Sequence, residues 1–271
     1  MVIYFLLFSR LILYINMLFE FLEIEYNKNN ANDGEYIDLS QYTLDTNKNY
    51  LFTYGSIIIG LYIPYYFENH IFDKYIKLLT NKIKVSNNRG NISGIIDVNK
   101  VYPCFHKFIN DKSIFNATKT RINKNNADCK FAFSNNIKCC KINQKSKYYN
   151  ENKTEFKKFN LEVIKPIFKM LKHYIELDNK DEIFTEFNEM IVNSSVRSAI
   201  HTDSKNADGV SILFTLGDCK SNIALPDYNI SIPLIPHKSL VILPLKRMRH
   251  SNDEINENEL NKRISIVLYN K

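Results

Sequence analysis

The chain has 271 residues, 45% of them apolar and 24% charged, and a formal net charge of +7. That balance excludes a disordered polyelectrolyte and provides a sizeable core for one large domain or two small ones. Asn, Lys, Ile and Tyr are over-used and Trp is absent, the bias of an AT-rich genome, so Asn27 to Asn30 reads as a solvated loop.

The five cysteines are Cys104, Cys129, Cys139, Cys140 and Cys219. An odd count with two adjacent members points to a reducing compartment, intracellular and either nuclear or cytoplasmic. A zinc site from Cys104, His106, Cys129, Cys139 and Cys140 is conceivable, but their spacing matches no standard zinc pattern.

The chain opens on an apolar stretch, Met1 to Phe19, interrupted by Arg10 and Asn16. It is marginal against the roughly 20 apolar residues a membrane span needs. Its positive charge sits inside the run, where a signal peptide carries it before. A packed N-terminal element, or a true start at Met17, is preferred over an anchor, and residues 1–50 form an apolar segment and polar linker.

Ile57 to Ile63 is an unbroken apolar run that predicts a buried strand ended by Pro64. Phe67, Ile71, Tyr75 and Leu78 recur at helical spacing and predict a helix over 66–80. Residues 86–98 read as a loop and short strand, and 104–155 as irregular and basic. Asn160 reads as an N-cap before a helix with Leu161, Ile164, Phe168, Leu171 and Ile175 on its buried face and Pro166 in its second turn. Residues 101–175 hold sixteen Lys or Arg against five Asp or Glu, so the rest of the chain is net acidic. Such concentration suits a phosphate-facing patch.

From 187 onward the pattern changes to short strands: Met190–Val192, Ser211–Leu216, Ile230–Ile232, Leu240–Leu243 and Ile264–Tyr269. Asp208-Gly209, Gly217-Asp218, Pro226-Asp227 and Pro236-His237 separate them as turns. Helices followed by antiparallel strands give an α+β chain with a β-sandwich or jelly roll. The expected division is one domain over 51–271, with helical and basic support at 51–185 and the jelly-roll core at 186–271.

His201 and Asp203 alternate across one residue, so on a strand they face the same way. His250 follows the Leu240–Leu243 strand, and Arg263 opens the last apolar run with Ser265 on its face. Two histidines and a carboxylate hold one face of a ferrous ion and leave the other open. An arginine on the next strand grips a carboxylate with two parallel hydrogen bonds. His237 sits in a Pro-His-Lys turn with no nearby carboxylate, His173 lies on its helix opposite the apolar stripe, and His70 and His106 have no carboxylate at ligand spacing.

The stretches His201-Thr-Asp-Ser-Lys-Asn206, Ser211-Ile-Leu-Phe-Thr-Leu, Ala224-Leu-Pro-Asp-Tyr, His250-Ser-Asn and Arg263-Ile-Ser-Ile-Val-Leu-Tyr together resemble the TET/JBP oxygenases, iron(II)- and 2-oxoglutarate-dependent enzymes that oxidise the methyl group of 5-methylpyrimidines in nucleic acid. The resemblance covers roughly residues 128–271 and is strongest over 187–271. It implies a double-stranded β-helix core with N-terminal supporting helices. It makes His201, Asp203 and His250 the iron ligands, with O₂ and 2-oxoglutarate as co-substrates. Arg263 then holds the distal carboxylate of 2-oxoglutarate with Ser265 assisting, and Asn206 hydrogen-bonds the base.

Three positions depart from the family pattern. Lys271 stands where the family has an active-site histidine, and is a candidate substrate-binding residue. Lys220-Ser221-Asn222 replaces a glycine pair. No arginine is identifiable for the other end of 2-oxoglutarate, although Lys153, Lys157 and Lys158 fall near its place in sequence.

The implied activity is hydroxylation of the methyl group of 5-methylcytosine or thymine in DNA, with the 101–175 segment holding phosphates. An oxygenase acting on a protein side chain or an alkylated base, and an inactive DNA-binding relative, are the alternatives.

Overall fold

The computed structural model describes residues 19–81, 84–85, 138–143, 147–174, 189–194, 198–252, 255, 259 and 262–269, apart from 28, 32, 34–36 and 205; over 84–85, 138–143 and 172–174 it describes backbone alone. In chain order these form β1 (Phe19–Glu23), β2 (Asn49–Tyr54), β3 (Ile57–Ile63), α1 (Ile76–Thr80), β4 (Lys84–Val85), β5 (Lys138–Asn143), α2 (Lys147–Glu151), α3 (Lys153–Phe159) and α4 (Lys165–Tyr174). The strands β6 (Glu189–Ser194), β7 (Ser211–Gly217), β8 (Ser221–Leu225), β9 (Ile230–Leu234), β10 (Leu240–Leu243), β11 (Ser251–Asn252) and β12 (Arg263–Tyr269) follow.

Among the described residues, β1-β2-β3-β10-β7-β12-β6-β5-β4 make one large sheet and β11-β8-β9 a small one. From β6 in the large sheet the chain passes to the small one, touches it at His201, and returns on β7. It then crosses to the β8–β9 hairpin, back to β10, over to β11 and back to β12. This alternation between facing antiparallel sheets is the winding of a double-stranded β-helix, an α+β jelly-roll core.

Period-two alternation on the central strands builds two cores. Ile212, Phe214 and Leu216 of β7 and Ile264, Ile266 and Leu268 of β12 face outward, where Phe156, Phe159, Ile164, Ile167 and Leu171 of the helical layer cover them. Leu213, Val241 and Leu243 face inward and meet Ile223, Leu225, Ile230 and Ile232 of the small sheet. Both faces of the large sheet are thus covered, so its strands read as near-continuous apolar runs.

Helical support does not begin at the N-terminal end of the described chain. Residues 19–63 instead extend the large sheet: β1 runs parallel to β2, β2 pairs with β3, and β3 joins the core through β10. The helix expected over 66–80 is confined to α1. Phe67, Tyr75 and Leu78 are buried as predicted, but turns deliver Phe67 and Phe72, whose rings pack on Phe214 at 5.2 Å each. The supporting helices come just before the core, at 147–174.

Asn160 is not an N-cap. The helix has already run from Lys153, and 160–164 is a π-helical turn in which Lys165 N donates to Asn160 O. Pro166 cannot donate a backbone hydrogen bond, and the wider turn before it accommodates the missing donor. Leu161, expected in the core, is 61% exposed, while Val163, Ile164 and Ile167 are buried. Within 104–155 the chain forms β5 and α2. Residues 1–18, the loop at 86–98, the zinc candidates Cys104, His106 and Cys129, and Lys271 lie outside the described residues.

Gly217 ends β7 opposite Arg263 with φ +81°, and a Cβ there would lie 2.0 Å from Lys262 O. Positive φ and a backbone clash leave room for glycine alone. Gly217→Ala is expected to lower stability by about 2–4 kcal/mol, read from the urea midpoint at unchanged slope.

Candidate active site

His201 and His250 sit where the small sheet is extended by a single bridge. His201 N donates to His250 O at 3.0 Å and His250 N to His201 O at 2.9 Å. The ring centroids are 4.3 Å apart. His201 Nδ1 lies 2.7 Å from Ala199 O, and His250 Nδ1 lies 3.0 Å from Met248 O. A carbonyl accepts only, so each Nδ1 carries a proton, which in the neutral ring leaves Nε2 as the nitrogen free to ligate a metal. Asp203 Oδ1 is 3.7 Å from His201 Nε2, and one ligand atom from each of the three residues lies within 4.8 Å of the others. Asp203 is not on a strand as expected; its backbone N donates to Leu245 O at 3.0 Å, which hangs it on the loop before His250.

The three residues open into a cavity of about 100 Å³ between the sheets. Arg263 and Ser265 line its large-sheet wall, and Asn206 and Ser251 also border it. Arg263 is buried, its Nε donating to Ser221 Oγ and its Nη1 to Ser265 Oγ, both at 3.2 Å. Burial pushes its guanidinium pKa down to about 10, with the Cys219 thiol opposing the shift, so it stays charged at neutral pH. A buried fork of N–H donors inside a cavity is the complement of a planar carboxylate. Ser221 belongs to the Lys220-Ser221-Asn222 run that departs from the family's glycines, and supplies a hydroxyl acceptor for the arginine.

Asn206 stands beside the carboxylate: its backbone N donates to Asp203 O at 2.9 Å, and Nδ2 reaches Asp203 Oδ2 at 3.5 Å and Ser211 Oγ at 3.4 Å. The lysines near the missing second arginine are placed differently. Lys153, Lys157 and Lys158 are exposed on α3, whose buried Phe156 and Phe159 pack on the outward face of the large sheet. The sheet therefore separates them from the cavity, and none of them completes it.

Two other histidines, His237 and His70, have local roles. His237 Nε2 accepts from Gly217 N at 3.1 Å. His70 does have a carboxylate partner, Asp73 Oδ2 at 2.8 Å, but that pair is exposed.

Residues that single-sequence reading missed hold the site in shape. Asn252 accepts from Ser198 N at 3.1 Å and Ser198 Oγ at 2.9 Å, and donates to Asn222 O at 3.1 Å, fastening the approach to His201 onto β11. Arg249 turns away from the cavity and donates through Nη1 to buried Asp227 Oδ1 at 2.9 Å and through Nε to Asp33 Oδ1 at 3.1 Å, strapping residues 29–33 against the start of β11. Asp227, part of the Ala-Leu-Pro-Asp-Tyr signature, is thus a packing residue. These contacts join positions far apart in the chain. Asn252→Ala removes three side-chain hydrogen bonds at a buried position and is expected to lower stability by about 2–3 kcal/mol, measured as a fall in melting temperature.

Two buried polar atoms in the cavity wall, Asn193 Oδ1 and Ser251 Oγ, have no hydrogen-bond partner. Buried polar groups are nearly always satisfied, and both of these residues border the cavity. The donor set of two imidazoles and one carboxylate, together with the buried cation, fits an open-faced metal ion with a carboxylate-bearing co-substrate.

No family model and no curated protein matches the sequence. Among solved structures, the chain is similar to NgTET1 in complex with 5mC DNA, at 10% identity and TM-score 0.41, over 92% of this chain and 81% of that one. It is similar to a 2OG-Fe(II) oxygenase family oxidoreductase from Burkholderia pseudomallei at 14% identity and TM-score 0.36, over 49% and 67%. It is similar to OsALKBH1 at 15% identity and TM-score 0.30, over 44% of this chain and 64% of that one, just under two thirds of its length.

Proposed function

We propose that the protein is an iron(II)- and 2-oxoglutarate-dependent dioxygenase that hydroxylates the methyl group of a 5-methylpyrimidine in DNA. The observation that carries the oxygenase reading is one cavity lined by His201, Asp203 and His250 together with the buried guanidinium of Arg263. His201 Nε2, the Asp203 carboxylate and His250 Nε2 would hold the metal, and Arg263 with Ser265 the distal carboxylate of the co-substrate. When bound, ferrous iron with 2-oxoglutarate and O₂ supplies the oxidising power for C–H hydroxylation, with succinate and CO₂ as co-products.

The protein's own part is preorganisation. The Ala199 and Met248 carbonyls hold both imidazoles in the ligating tautomer, as outer partners of metal ligands do. The His201–His250 bridge and the Asn252 clasp fix their separation, and the apolar walls at Leu213, Ile223 and Val267 limit water. Asn206, beside Asp203 on the cavity wall, offers an amide to a base edge.

The substrate reading rests on the signature stretches around these residues and on the charge skew of the chain. The described basic residues of 147–174 belong to the helical layer behind the large sheet, whereas Lys246 and Arg247 directly follow Leu245, which lines the cavity. Those two share the Asp208 carboxylate, at 3.3 and 3.1 Å, and are better placed to meet a phosphate near the cavity. A base within a duplex would have to leave the stack to reach the metal ligands.

Anaerobic reconstitution with iron(II) and 2-oxoglutarate, followed by air and methylated DNA, is expected to yield hydroxymethylpyrimidine, read by nucleoside mass spectrometry. Succinate release with pyrimidines unchanged in methylated, hydroxymethylated and plain DNA would reject the substrate and keep the oxygenase. A peptide panel and alkylated oligonucleotides would then separate the remaining targets.

A further inference from the structure

The cavity holds a polar side chain that none of the roles above uses. Asn193 of β6 is 7% exposed, lines the cavity, and leaves its Oδ1 unpartnered. It lies directly opposite Ser265 in the β6–β12 register, and Ser265 lies directly opposite Thr215 in the β12–β7 register. Directly opposed residues put their side chains on one face, with Cβ atoms about 4.5–5.5 Å apart. Asn193, Ser265 and Thr215 therefore form one polar row across three strands, and Arg263 Nη1 donates into the middle of it at 3.2 Å.

We propose that Asn193 is a co-substrate-binding residue whose side-chain amide hydrogen-bonds the distal carboxylate of 2-oxoglutarate beside Arg263 and Ser265, turning a two-residue grip into a three-residue clamp. The assignment rests on the oxygenase reading. A buried amide oxygen without a donor bears its desolvation penalty, and an apolar residue would be the more stable choice for a bare wall. A carboxylate offers about four acceptor sites, more than the guanidinium fork fills, and an amide supplies two further N–H donors. Aspartate at this place would repel the ligand, and lysine would bury a second cation beside Arg263. A neutral donor avoids both costs. Rotating the amide about its last bond exchanges Oδ1 for Nδ2, so the same side chain turns a donor toward the bound acid.

The test is calorimetric titration of 2-oxoglutarate into the full chain loaded with manganese(II), which needs no turnover. Asn193→Leu is expected to weaken binding about tenfold and Asn193→Asp about a hundredfold. Thr215→Val serves as the control. Its hydroxyl is also buried and unpartnered in the same row, but it is not part of the cavity lining, and wild-type affinity is expected. Asn193→Leu removes an unmet polar group and should melt no lower than wild type. If it does not fold, Asn193→Asp, of nearly the same shape, carries the test. Affinity within twofold of wild type in the Asn193 variants, or an equal loss in Thr215→Val, would overturn the assignment alone. A wild-type protein that takes no 2-oxoglutarate would overturn the oxygenase reading and the assignment with it.

Discussion

Replacing Asp203 by alanine is expected to abolish substrate oxidation and to weaken metal binding at least a hundredfold, a loss at the upper end of what even an outer partner of a ligand produces. Asp203 supplies the one negative charge in a set otherwise made of two neutral imidazoles, so its loss removes most of the Coulombic attraction for a divalent ion. The fold should survive, because the contact that places this residue is its backbone N–H to Leu245 O, which alanine keeps. Manganese(II) binding followed by electron paramagnetic resonance, alongside a melting curve, separates the two effects. Full oxidation activity in this variant would sink the assignment of the iron site.

Arg263→Leu is expected to separate folding from co-substrate binding. Charge-assisted hydrogen bonds contribute about 1.5–3 kcal/mol, so 2-oxoglutarate affinity should fall by about ten- to a hundredfold or more. Stability of the unliganded protein should change far less, because two effects oppose each other. Burial that holds the guanidinium pKa near 10 costs the charged form roughly 3 kcal/mol, and leucine removes that cost. Leucine also leaves the Ser221 and Ser265 hydroxyls without their donor, at about 1–3 kcal/mol in total.

The pH dependence has a definite sign. The folded pKa is depressed, so the unfolded chain binds more protons above it, and the penalty is fully present below about pH 10 and relieved as pH rises through that value. Wild type should therefore gain on Arg263→Leu at alkaline pH, read from paired melting curves. Arg263→Lys retains the charge but loses the fork, and is expected to bind 2-oxoglutarate more weakly than wild type.

The candidate site was legible in the sequence because it is written in residue types. His201, Asp203, His250, Arg263 and Ser265 are identities with few other uses in that order on strand ends, and the structure brings all five to one cavity. The roles of Asn193, Ser221, Ser251 and Asn252 were not legible. Serine and asparagine abound in this chain, and what distinguishes these four is their partner across the sheet or their lack of one.

The same division holds for the fold. Ile57–Ile63 and Leu240–Leu243 matched their predicted bounds because period and turn residues are local. The helix at 66–80 failed because burial at helical spacing can also be delivered by turns that pack on Phe214. Two-residue β11, and the joining of β1, β2 and β3 to the core through β10, exist only through pairing with strands remote in sequence.

What the sequence determined by itself was the list of donors and the alternation of the core strands, since side-chain chemistry and strand period are properties of neighbouring residues. What only the tertiary structure decided was which tautomer each histidine holds, which polar atoms are left unmet, and that the lysines of α3 stand behind the sheet. Those depend on burial and on hydrogen bonds closed between distant segments, and such energies come into being only when the two sheets meet.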